Sequence, residues 1–115
     1  MDTSLIDEAT FAELRDTVGD EFAIELVDTF FEEAPGILAE LRAALAASDA
    51  DGYRRAAHSL KSNCSTFGAL GVARMARDAE LGGFTGDAAA DAAVLDSLEA
   101  AYSAAAAELR ELSRG

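Results

Sequence analysis

His58, the single histidine of this 115-residue chain, is the residue whose surroundings are best suited to chemistry. If its segment is helical, side chains three, four and seven residues away share its face. These neighbours are all basic or small: Arg54, Arg55, Lys61, Ser62 and Ser65. An open imidazole ringed by positive charge should keep a neutral nitrogen available as a nucleophile, and the same charge would stabilise an attached anion such as a phosphoryl group. Without such neighbours, a lone histidine would be interpreted as a core or incidental surface residue.

These neighbours belong to the only strongly basic segment of an acidic protein. The formal net charge is −13, yet no acidic residue occurs from Gly52 to Arg77. The basic residues of this segment give +5 and leave −18 for the rest of the chain: Arg54, Arg55, Lys61, Arg74 and Arg77. We expect these side chains to lack partners of opposite charge on their own helix. Two interpretations stay open for them: a solvated helix face and a functional surface. The net charge argues against binding to nucleic acid or anionic membranes.

The helix that carries His58 is predicted from about Tyr53 to Phe67, and Gly68 ends or bends it. Its apolar positions fall on one face: Tyr53, Ala56, Ala57, Leu60, Cys64 and Phe67. At 100° per residue, His58 points roughly 140° away from the centre of that face. We therefore expect the imidazole to face solvent and Cys64 to lie in the core.

Other segments with helical periodicity supply the elements that must position this helix. They are a short helix at about 5–18, an apolar stripe over 20–33 that includes Phe22, a continuation to Leu45 beyond Pro35, a helix over 69–81, and a long final helix with 3,4 spacing that ends near Leu112. Ala and Leu are abundant and Pro occurs once, which favours helices. The predicted fold is all-α, an antiparallel up-down four-helix bundle with one or two short additional N-terminal helices. We expect one domain over 1–115, with the bundle core at about 20–112.

The segment that begins at His58 resembles the signature of the histidine-containing phosphotransfer (HPt) domains of two-component phosphorelays. That signature has a Lys three residues after the His, a small residue next, and Gly-Ala ten and eleven residues beyond the His. The chain reads His58-Ser59-Leu60-Lys61-Ser62-Asn63-Cys64-Ser65-Thr66-Phe67-Gly68-Ala69. The resemblance extends from Phe30-Phe31 through Leu38 to Leu45 and on to Ala79-Glu80, which is most of the chain.

The resemblance implies that His58 is phosphorylated and that Lys61 neutralises the phosphoryl oxygens during transfer. Its implied partners are receiver domains of response regulators or hybrid kinases, and the magnesium ion belongs to the receiver, so the chain needs no cofactor or metal of its own. One departure is Ser62, where the family usually has glycine that permits a close approach of the partner. Weaker supporting or docking candidates are Arg54, Arg55, Ser62 and Ser65, whereas Gly68 is assigned a structural role.

Other function classes fit the sequence less well. Neither a P-loop nor a kinase-type glycine loop occurs, so phosphorylation from ATP is not expected, and a carboxylate-bridged metal bundle would need histidines that the chain lacks. The remaining alternative is a non-phosphorylated helical-bundle adaptor that docks receiver or kinase domains. No signal peptide or membrane span is apparent and Cys64 is the only cysteine, so we expect a cytoplasmic location. The starting Met and the compact length favour a free-standing protein, with origin from a longer hybrid kinase left open. We expect a monomer, because the bundle can close its own core.

Overall fold

Short turns divide the chain into five helices. The computed structural model describes residues 5–114, and the helices within them are α1 (Glu8–Val18), α2 (Asp20–Ala46), α3 (Ala50–Thr66), α4 (Leu70–Gly82) and α5 (Ala88–Arg114). The described residues contain no β-strand, so the prediction of an all-helical fold is confirmed. None of these helices has the length and apolar content that a membrane-spanning segment requires.

The helices share one hydrophobic core. Helix α2 packs on α3 and α5, α4 packs on the same two helices, and α1 packs on α2 and α3. Core side chains extend from Ile6, just before α1, to Leu109 in α5. The predicted antiparallel up-down order of a four-helix bundle stays a prediction.

Helix α2 passes through Pro35 without a break, as expected for two nearly continuous segments. Its buried face includes Val27, Phe30 and Leu41, but Phe22 is 49% exposed, so the prediction of Phe22 as part of the buried stripe is wrong. The helical period explains the difference, because Phe22 lies about 105° from the centre of that face.

Helix α3 buries the face that its periodicity predicts. Its buried residues are Tyr53, Ala56, Ala57, Leu60 and Cys64. Asp49 caps the helix by accepting a hydrogen bond from the Gly52 N–H at 3.0 Å. Burial raises the pKa of the Cys64 thiol to about 12. The thiol is therefore protonated at neutral pH and acts as a small apolar core residue.

Gly68 ends α3 in a left-handed conformation with φ +83°. The Gly68 N–H donates to the Ser65 carbonyl and the Ala69 N–H donates to the Cys64 carbonyl, which is the bonding pattern of a Schellman motif. The Gly68 carbonyl in turn accepts from the Asp7 N–H at 2.7 Å. A Cβ atom at this position would lie 2.6 Å from the Asp7 carbonyl oxygen, so both the backbone conformation and the space require glycine.

We predict that Gly68→Ala lowers the free energy of unfolding by about 2 kcal/mol or more, because the new methyl group meets backbone and the positive φ is strained. Gly71→Ala is the matched control, since a Cβ there meets nothing within 4 Å and the residue lies in α4. Urea denaturation should show an unchanged or slightly raised stability for the control. Equal stabilities of the two variants would contradict the assigned role of Gly68.

Candidate functional site

His58 lies on the solvent side of α3, the orientation that its helical position predicts. Its side chain is 57% exposed. The imidazole lines a surface depression between α3 and α4, together with Arg54, Arg55, Ser59 and Glu80. A partner can therefore reach the ring without any movement of the core.

Glu80 of α4 holds two side chains of α3 at once. Its Oε2 lies 2.9 Å from the Nδ1 of His58, and its Oε1 lies 3.2 Å from the Nζ of Lys61. The Glu80 side chain is only 17% exposed, so this contact is shielded from bulk water more than the imidazole is. Lys61 sits one turn after His58, which lets one carboxylate bridge both residues.

The contacts of Glu80 determine which nitrogen of His58 is available. Burial alone would raise the pKa of Glu80, but the hydrogen bonds from Lys61 and His58 outweigh it and hold that pKa below its usual value. The carboxylate is therefore ionised at neutral pH and can only accept hydrogen bonds. The proton of a neutral His58 ring is then assigned to Nδ1, which leaves the lone pair on Nε2.

The arginines next to His58 have partners, so the expectation that the basic segment lacks helical counterions is wrong. Asp51 bonds to Arg54, and its Oδ2 lies 3.4 Å from the Nε of Arg55. It precedes them by three and four residues, which is the spacing of a helical ion pair, and it lies just before the acid-free segment. Within the described residues, Arg74 and Arg77 have no carboxylate within 4 Å.

The weaker candidates differ in where they lie relative to the depression around His58. Arg54 and Arg55 line the depression with His58. Ser62 and Ser65 are exposed on α3, outside the residues that line it. Gly68 lies beyond the end of α3, against Asp7.

Glu80 is the site residue that the sequence did not reveal. It is 22 positions from His58, and although the resemblance to the HPt family extends to Ala79-Glu80, the sequence predicted no role for Glu80. Only the packing of α3 on α4 brings the two together. The described part of the chain contains no group of three or more His, Cys, Asp or Glu side chains that could hold a metal ion.

Comparisons with known proteins point to one family. The model of the Hpt domain matches residues 25–110. Among solved structures, the chain is similar to the crystal structure of histidine-containing phosphotransfer protein B (HptB) from Pseudomonas aeruginosa PAO1. The two share 25% sequence identity and a TM-score of 0.84, over 98% of this chain and 97% of that one. No curated protein sequence gives a significant match.

Proposed function

The chain belongs to the Hpt domain family and has a histidine phosphotransfer role in phosphorelays, and we propose that His58 is the residue that carries the phosphoryl group. In this proposal a receiver domain donates the group from its phosphoaspartate, and His58 passes it to the aspartate of another receiver. The chain acts as a phosphocarrier without an ATP site or a cofactor of its own. The magnesium ion that assists transfer is held by the receiver.

One observation carries the assignment to His58. The imidazole is exposed, its Nδ1 is occupied by a carboxylate, and a lysine lies beside the same carboxylate. This arrangement leaves Nε2 free to attack a phosphorus atom from the solvent side. A residue that served only in docking would need neither a fixed ring nor an adjacent ammonium group.

Transfer from an acyl phosphate needs positioning and electrostatic stabilisation more than covalent catalysis by the protein. The Nε2 lone pair forms the N–P bond while the P–O bond to the partner's aspartate breaks and its electrons leave with the carboxylate. Negative charge is spread over the three phosphoryl oxygens in the transition state, and Lys61 is the group we assign to stabilise it. Arg54 and Arg55 support the same region, since both line the depression.

The test is transfer of radiolabelled phosphate from a phosphorylated receiver domain to this chain. A phosphohistidine is labile in acid and stable in alkali, whereas a phosphoaspartate is labile in alkali, so the two products are distinguished chemically. The adaptor alternative predicts binding of the receiver with no label on the chain. Acid-labile, alkali-stable label on the parent would support the phosphocarrier and contradict the adaptor.

Electrostatic steering of the acidic receiver should depend on Arg74 and Arg77, the two cations of the basic segment for which the described residues supply no counterion. We predict that Arg74→Gln and Arg77→Gln each reduce the second-order rate of label transfer severalfold at low ionic strength, and that added salt removes the difference. Arg110→Gln is the control, because it removes the same charge from α5, which packs on α2 and α4 rather than on α3. Equal salt dependence of all three variants would show that Arg74 and Arg77 do not steer the receiver.

A further inference from the structure

We propose that Arg55 exchanges its counterion when the site is phosphorylated: its guanidinium leaves Asp51 and binds the phosphoryl group on Nε2 of His58. The inference rests on the proposed function of His58 and names a residue that responds to phosphorylation. Its basis is the position of Arg55, which lines the depression around His58 while its Nε lies 3.4 Å from the Oδ2 of Asp51.

Arg55 lies on the side of α3 toward which Nε2 of His58 is directed. Around the axis of α3, Lys61 is about 60° from His58 in one direction and Arg55 is about 60° from it in the other. Lys61 faces α4, where Glu80 contacts both its ammonium and Nδ1 of His58. Arg55 faces α2, because it also lines a groove there with Ala43. Since Nδ1 is turned to α4, Nε2 is turned toward the side of Arg55.

The contact between Arg55 and Asp51 is weak enough to be exchanged. The two side chains are 74% and 60% exposed, and exposed pairs at this helical spacing contribute little. Asp51 also bonds to Arg54, so one carboxylate serves two guanidinium groups. A phosphoryl group on His58 would bring about two negative charges and three acceptor oxygens to the next turn of the helix. Because a guanidinium binds such oxygens through two parallel N–H groups, phosphorylation gives Arg55 the stronger partner.

A permanent helical ion pair is the competing explanation for the contact between Arg55 and Asp51. Such a pair would only stabilise the first turns of α3, as many exposed pairs at this spacing do. Arg55 would then keep its counterion after phosphorylation, and removal of Asp51 would change stability without changing the reactivity of His58. Two measurements therefore separate the explanations.

The first measurement follows the arginine Nε–H groups in ¹H–¹⁵N spectra of the full chain before and after phosphorylation by phosphoramidate. This small donor transfers its phosphoryl group to Nε2 of His58 as its own P–N bond breaks and the electrons leave with ammonia. The Arg55 signal, assigned with Arg55→Gln, should shift and exchange more slowly with water once the guanidinium binds the phosphoryl group. Arg110 of α5 is the reference signal and should not change.

The second measurement is the rate at which phosphoramidate phosphorylates His58. Asp51→Asn releases Arg55 before the reaction and should accelerate labelling severalfold, whereas Arg55→Gln should slow it severalfold. The double variant should match Arg55→Gln, because Asp51 acts through Arg55. Asp49→Asn is the matched control: it removes the same charge at the start of α3, keeps an oxygen for the helix cap, and within the described residues Asp49 has no cation within 4 Å. It should be labelled at the parent's rate.

Each measurement can overturn the proposal. An Arg55 signal that phosphorylation leaves unchanged would contradict it, and so would an acceleration by Asp51→Asn that Asp49→Asn matches or that persists without Arg55. Neither measurement needs a partner protein. If phosphoramidate labelled the parent and no receiver did, the proposed function would fail while the exchange of Arg55 was still decided. A parent that neither donor labels would refute both.

Discussion

His58→Gln is expected to take up no acid-labile label from a phosphorylated receiver domain, against stoichiometric labelling of the parent. The reason is chemical, because the amide of glutamine has no nucleophilic nitrogen lone pair that could form an N–P bond. Glutamine is close in size and can still donate to Glu80. The variant should therefore retain the α3–α4 contact and the fold.

The design of this experiment isolates the phosphorylated residue. Ser59→Ala is a suitable control, because Ser59 lies in the same depression and carries a hydroxyl group that could itself be phosphorylated. It should be labelled like the parent, and circular dichroism should show equal helix content for all three proteins. A His58→Gln variant that kept the parent's label would move the carrier to another residue and refute the assignment.

Lys61→Ala should slow phosphotransfer from a receiver by about a hundredfold, the usual cost of removing one preorganised group that stabilises developing negative charge. Its effect on binding should be small, because the side chain is 30% exposed and one charge among several contributes little to docking. Single-turnover kinetics at saturating chain, compared with the affinity measured in the His58→Gln background, would separate the two effects. We expect a large change in the rate and a small change in affinity.

Lys61→Arg provides the conservative comparison. It keeps the positive charge but places a planar guanidinium where a compact ammonium stood, so transfer should be partly retained. If the alanine variant transferred as fast as the parent, Lys61 would be only a structural partner of Glu80. If the arginine variant were as slow as the alanine variant, the geometry of the ammonium would matter more than its charge.

The local sequence determines which side chains of α3 are buried and which face solvent. The 3.6-residue period of α3 is enough to bury Tyr53, Leu60 and Cys64 and to turn His58 toward solvent, because these positions lie within one helix and share its geometry. The helix pairing of Asp51 with Arg54 and Arg55 was also within reach of the sequence, since the spacing is three and four residues. The prediction considered the segment from Gly52 to Arg77 by itself, and Asp51 lies one position before it.

Tertiary structure alone decided the chemistry around the imidazole. Glu80 is 22 positions from His58, and its approach depends on how α3 and α4 pack and rotate against one another. That packing also gives Lys61 a counterion that its own helix does not supply, because the Glu80 carboxylate that holds Nδ1 also pairs with the Lys61 ammonium. A helical period specifies which face of a helix is exposed. It does not specify which side chain of a neighbouring helix meets that face, and this is why the sequence located His58 while only the fold supplied Glu80.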